Sequence, residues 1–202
     1  PIGMNRTAHV VGIELPQDVP AAAAAVVWIA CNPYSKADAE SGGNGYLPIT
    51  LQYRPYTADT ARAVSIAGGD FREDFTNRSY RGKTNTAYNE ADLDNILACR
   101  RAMGDKPVIV CAALNNPMVM HEFERETDAI VVEFGVSRAA VLDVVFGDYE
   151  PTGRLPIQIP KDMETVEAQS EDRALDMEPH VDEAGNAYDY GFGLNYSGVI
   201  GQ

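Results

Sequence analysis

"PVIVCAALNNPMVMHEFERETDAIVVEFGVSRAAVLDVVFGDYEPTGRLPIQIP", residues 107–160, holds the alternation that decides the architecture. "PVIVCAAL" (107–114) and "DAIVVEF" (128–134) are continuous β-branched runs, the pattern of strands covered on both faces. Between and after them the period changes. Ser137 stands as N-cap of "RAAVLDVVF", in which Ala140, Val141, Val144 and Val145 form a helical apolar stripe that stops at Gly147. A turn built on Pro151 and Gly153 then leads into "LPIQIP" (155–160), read as a further strand, with Asp148 and Arg154 placed to pair across the turn.

Working outward, "ADLDNILACRRAM" (91–103) puts Leu93, Ile96, Leu97 and Arg100 at helical spacing. Asn89 is the expected N-cap with Asp92 three residues on, Arg100 and Arg101 fall in the last turns, and Gly104 fits the C′ position. "AAAAAVVWIAC" (21–31) ends as another buried strand, and "TAHVVGIEL" (7–15) holds a strand before Pro16 and Pro20. Strands alternating with helices imply parallel crossovers, so the fold class is α/β, a mostly parallel sheet sandwiched by helices. The whole chain, 1–202, reads as one such sandwich domain. It contains a long and largely irregular region, 32–88, in which "TADTARAVSIAGG" (57–69) suggests a short helix closed by Gly68 or Gly69.

The 202 residues and 45% apolar content suffice for a sizeable core. With 30 acidic against 16 basic residues the formal net charge is −14, which argues against a nucleic-acid or anionic-membrane partner. Cys31, Cys99 and Cys111 show no CxxC or Cys/His spacing and read as buried free thiols. No apolar run reaches membrane-spanning length. The first residues, Pro-Ile-Gly-Met, lack an initiator Met and suggest a processed chain or a fragment of a longer protein. Compartment is left unassigned, and an oligomer is compatible with the composition.

Several chemistries lack their motifs: there is no GxGxxG, no Walker-type GxxxxGK, no GxSxG and no HExxH. "SGGNGY" (41–46) lacks a capped helix behind it and reads as a flexible loop, and a nucleotide site is disfavoured. His9, His121 and His180 are isolated and read as surface or satisfied side chains. Two carboxylate groups lie in irregular segments that follow strands, Asp38 with Glu40, and Asp70 with Glu73 and Asp74. Such loops emerge at the carboxyl ends of parallel strands, where α/β sites form. Tyr46, Arg54, Tyr56 and Arg78 stand in a stretch rich in Tyr, Arg and Asn, which offers the flat faces and forked donors that sugars require. The same residue types mark protein interfaces, so the stretch fits a sugar wall, an inter-domain surface, or both.

"DKPVIVCAALNNPMVM", "DAIVVEFGVSRAAVLDVVFGDYEPTGRLPIQIP" and the closing "YDYGFGLNYSG" together resemble the C-terminal α/β-sandwich domain of glycoside hydrolase family 3, which includes β-glucosidases. The resemblance covers about residues 105–197. It departs at "LNNP" (114–117) and "FGVSRAA" (134–140), where the family favours "SGRP" and a Gly-rich turn. It implies a retaining β-glycosidase acting on terminal β-linked sugars, a glucoside or oligosaccharide, without metal or organic cofactor. It also implies an N-terminal (β/α)8 barrel partner of the same enzyme that carries the aspartate nucleophile in a Ser-Asp-Trp-like motif. The single tryptophan, Trp28, stands in a strand, so that motif is absent and the chain alone is expected to be inactive. "ACNPYSKADAESGGNG" (30–45) is similar to the loop from which family members supply the general acid/base, which makes Glu40 the first candidate and Asp38 the second. The alternative is a non-catalytic carbohydrate-binding or partner module with the same fold.

Overall fold

A computed structural model describes residues 22–29, 47–61, 81–170 and 173–201. The expected strand at 7–15, most of the expected helix at 57–69, and Asp38, Glu40, Tyr46 and Arg78 lie outside the described residues. Along the chain run β1 (Ala25–Ile29), β2 (Tyr56–Thr57), β3 (Thr84–Asn85), α1 (Ala91–Met103) and β4 (Val108–Ala113). A 3-10 turn (Glu124–Glu126), β5 (Ala129–Glu133), α2 (Arg138–Val145), α3 (Met163–Ala168), β6 (Leu194–Asn195) and β7 (Gly198–Val199) follow. Among the described residues no helix is long and apolar enough to cross a membrane.

The central sheet has the order β1-β4-β5 with every pair parallel, as the β-branched runs require. Register places Val27, Val110 and Ile130 in one row and Trp28, Cys111 and Val131 in the next, so the two rows face opposite sides. Val27 and Val110 share a core with Leu93, Ile96, Cys99 and Met103 of α1, spaced three to four residues apart on one helical face. Complete burial of a side chain such as Ile96 contributes roughly 1.5–3 kcal/mol. On the other side, the Arg138 guanidinium at the start of α2 lies 5.2 Å from the Trp28 ring centre, a cation–π contact.

Gly104 closes α1 with φ +58° and donates to the Arg100 carbonyl. Arg100 goes beyond a dipole partner: its guanidinium also reaches the carbonyls of Gly104, Lys106 and Glu126 and the carboxylate of Asp128. Asn89 is not the side-chain cap. Glu90 occupies the N-cap in helical geometry, and the Asn89 amide donates instead to the Asp92 carboxylate at 3.0 Å. Ser137 does cap α2, accepting from Ala140 N at 3.3 Å, and Gly147 follows with φ +82°. Of the expected α2 stripe only Val141 is buried, while Ala140 is exposed and Val144 and Val145 are half-buried. The short helix covers its side of the sheet incompletely.

Two further expectations change. "LPIQIP" forms no named ladder strand: it bends at Pro156–Ile157 and joins the tail through four backbone bonds, Leu155 N to Phe192 O, Gly191 N to Leu155 O, Ile159 N to Tyr188 O and His180 N to Ile159 O, and through an isolated antiparallel bridge between Pro160 and Pro179. Pro156 and Pro160 have no N–H to give on one edge, and the bend at Pro156–Ile157 interrupts pairing on the edge that Leu155 and Ile159 face. Asp148 and Arg154 form no ion pair among the described residues. The Arg154 guanidinium lies over Gly201 instead.

Candidate functional site

The segment after β4 returns along the core through buried Met118, Val119, Met120 and Phe123, and it organises residues 50–57. Val119 N donates to Leu51 O at 2.9 Å. The Glu122 carboxylate accepts two successive backbone N–H groups, Tyr53 N at 2.6 Å and Arg54 N at 2.9 Å. Tyr53 is fully buried and its ring meets Phe123 at 6.3 Å. One acidic side chain thus fixes the turn from which Gln52, Arg54 and Tyr56 project.

A second, smaller core of Leu51, Tyr56, Ala58, Ala61, Val119 and Met163 lies under this turn. Met163 begins α3, and its sulfur accepts a hydrogen bond from Leu51 N at 3.3 Å. Asp162 caps α3 through Thr165 N at 2.9 Å. Above this core the two parts of the chain enclose a cleft of about 360 Å³, with Gln52, Tyr56, Thr57 and Asp59 on one side and Asp162, Met163 and Glu164 on the other. Among the described residues its lining offers carboxylate and hydroxyl oxygens over an apolar floor, groups that can hydrogen-bond a polyhydroxyl ligand. Among the described residues no cluster of His, Cys, Asp and Glu could hold a metal ion.

Of the residues singled out in the sequence, Arg54 and Tyr56 stand two apart on this turn with different surroundings. Tyr56 is buried and lines the cleft. Arg54 reaches away to α1, pairing with Glu90 at 2.8 Å and Asp94 at 2.6 Å, and the hydrogen bonds it donates, to Asp94 first and Glu90 second, raise its pKa. The second wall, at 162–164, was not anticipated. Its only signal is the Asp162-x-x-Thr165 cap, which marks a helix start and says nothing of a cleft.

The motifs now have places: "PTGRLP" and "YGFGL" meet through Leu155 N to Phe192 O at 2.7 Å and Gly191 N to Leu155 O at 2.8 Å. The Glycosyl hydrolase family 3 C-terminal domain profile matches residues 56–196, and the chain belongs to that family. The match begins at Tyr56, well before residue 105, and so takes in part of the cleft. Over 90 residues the chain is 40% identical to Beta-glucosidase C of Emericella nidulans, covering 45% of this chain and 14% of that protein. Probable beta-glucosidase C of Aspergillus flavus is 37% identical over 91 residues, 45% of this chain and 13% of its own. Periplasmic beta-glucosidase of Salmonella typhimurium is 28% identical over 130 residues, 57% and 17% respectively. The chain therefore spans less than a fifth of the length of these relatives. No solved structure matches it significantly.

Proposed function

We propose that the chain is the C-terminal domain of a retaining β-glycosidase of the β-glucosidase kind, and that it helps to form the pocket for a terminal β-linked sugar. The observation that carries this reading is the family match over residues 56–196 together with the β-glucosidase relatives. In this mechanism a carboxylic acid protonates the leaving glycosidic oxygen while an aspartate on the N-terminal barrel attacks the anomeric carbon. The same acid, now a carboxylate, then removes a proton from the water that hydrolyses the glycosyl-enzyme. Glu40 is the first candidate for the acid and Asp38 the second, with Tyr46, Arg54, Tyr56 and Arg78 as candidate sugar contacts. The chain alone lacks the nucleophile and should not turn over an aryl β-glucoside; hydrolysis clearly above background would sink the two-domain mechanism. In the complete enzyme Glu40→Gln should slow natural substrates far more than aryl glycosides with good leaving groups. Equal effects on both would remove Glu40 as the acid.

The open cleft between Gln52 and Glu164 favours a second reading, a carbohydrate-binding module. Calorimetry with glucose and gluco-oligosaccharides separates the two, since tight binding by the chain alone supports the module and absence of binding supports half of a composite pocket.

A further inference from the structure

Asn85 is a buried polar residue, 3% exposed, and both ends of its amide are used. Nδ2 donates to the carbonyl of buried Pro48 at 2.8 Å, and Oδ1 accepts from Thr86 N at 2.9 Å. A carbonyl only accepts and a backbone N–H only donates, so these two partners fix which way the amide is turned. The Asn85 main chain pairs with Tyr56 in the β2–β3 ladder. Beside that pair the hydroxyls of Thr57 and Thr84 share a hydrogen bond of 2.7 Å, and Ala58 N donates to Lys83 O at 3.1 Å. One residue therefore meets the cleft wall through its backbone and the stretch leading into that wall through its side chain.

The bond to Pro48 is the first of a series. Leu51 N is held by the Met163 sulfur and Leu51 O by Val119 N, and the N–H groups of Tyr53 and Arg54 are held by Glu122. Among the described residues the bond at Pro48 is the first after Glu40 along the chain. Before Asp38 the chain is fixed at Ile29, which is buried and pairs with Ala112 in the sheet. Position 85 calls for a donor and an acceptor on one short side chain. Aspartate has that shape without the donor, and would set an oxygen against the Pro48 carbonyl.

We propose that Asn85 is a positioning residue for the glycosidase reaction, fixing where the segment that carries the acid joins the cleft wall at Tyr56. This rests on the reading above, with Glu40 or Asp38 as the acid. An acid delivers its proton to the leaving oxygen only within hydrogen-bond reach, and a displacement of about 1 Å costs up to ~100-fold. Such a loss is selective. A sugar alkoxide needs the proton in order to leave, whereas a good phenolate leaves without it. A simple loss of folded enzyme slows both substrates alike.

The test is kcat/KM in the complete enzyme for a β-linked disaccharide and for an aryl β-glucoside with a good leaving group, well below each variant's unfolding midpoint. Asn85→Asp and Asn85→Ala should slow the disaccharide about 10-fold more than the aryl glucoside. Glu40→Gln or Asp38→Asn should show the same selectivity more strongly, and Val110→Ala, a core change in the sheet, should show none. If a carboxylate variant discriminates while the Asn85 variants slow both substrates equally, or neither, the positioning role is overturned and the glycosidase reading stands. If neither carboxylate variant discriminates, the acid assignment fails and takes this inference with it. Should Asn85→Ala fail to fold, the isosteric Asn85→Asp decides alone.

Discussion

Gly193 packs so tightly on the carbonyl of Gly153 that a β-carbon at position 193 would overlap that oxygen and press on Arg154 Cα at 3.3 Å and Ile200 Cδ1 at 3.2 Å. Backbone atoms cannot swing aside as a flexible side chain can, so the close approach itself demands glycine here. Gly193→Ala should cost about 1–3 kcal/mol by overpacking. Gly191 lies two residues away in open space at φ +81°, and Gly191→Ala should cost only about 1 kcal/mol of left-handed backbone strain. Urea midpoints check both, and equal midpoints for Gly193→Ala and wild type would show that the tail does not bear on the turn.

Glu122 predicts a different kind of loss. Glu122→Ala leaves the N–H groups of Tyr53 and Arg54 without the acceptor seen in the fold, at about 1–3 kcal/mol. Glu122→Gln keeps one carbonyl acceptor and should lose less. Identical unfolding curves for Glu122→Ala and wild type would mean that something else holds the turn.

Arg54 separates stability from function. Its ion pairs with Glu90 and Asp94 are well exposed to solvent, 40% for the guanidinium side chain, so Arg54→Ala should cost less than ~1 kcal/mol. If the residue also contacts sugar, the same change in a complete enzyme should raise KM well beyond what that small loss explains. Unaltered kinetics would leave Arg54 as a clamp to α1 only.

The thiols of Cys99 and Cys111 should resist alkylation in the folded chain. Both are buried and free. Burial pushes the Cys111 thiol up to about 12, and the Cys99 thiol also titrates above its ordinary value because burial disfavours the thiolate. Peptide mapping after iodoacetamide treatment, with and without urea, should find both modified only when unfolded. Rapid native labelling at Cys111 would contradict its complete burial between Trp28 and Val131 in the sheet.

Acid should weaken the link between α1 and β5. Asp128 accepts from Val108 N at 2.8 Å and from Arg100, in that order the causes that hold its pKa below the ordinary 3.8. Its contribution is complete above that ordinary value and is lost as pH falls through the lower folded one. Asp128→Asn should therefore be less stable near neutrality and less acid-sensitive than wild type. Parallel acid-unfolding curves would show the carboxylate to be spectator.

Local sequence patterns carried the elements whose partners are local. The runs at 25–29, 108–113 and 129–133, the Leu93/Ile96 face and the Ser137 cap are all where periodicity and capping put them. "LPIQIP" departs from a ladder strand because apolar alternation registers neither the bend at Pro156–Ile157 nor whether its N–H groups meet one neighbouring strand. Asp148 and Arg154 are neighbours in sequence, yet Arg154 lies over Gly201, which no local pattern announces. The cleft was illegible for the same reason: Tyr56 and Met163 meet only because Glu122 and Val119 hold the turn between them. The family motifs name the domain through its packing glycines.

The parallel pairing of Ala25 with Val108 also has a kinetic side. From α1 through β4 and β5 to α2 the elements are consecutive, so their contacts close short loops, whereas β1 must be recruited across the whole intervening stretch. Loop closure over that span is entropically costly and comes late in folding. Val27→Ala should therefore speed unfolding while hardly changing refolding, and Val110→Ala should slow refolding. Stopped-flow chevrons with the opposite partition would place β1 in the folding nucleus; the expected one makes the chain's first described strand the last to arrive.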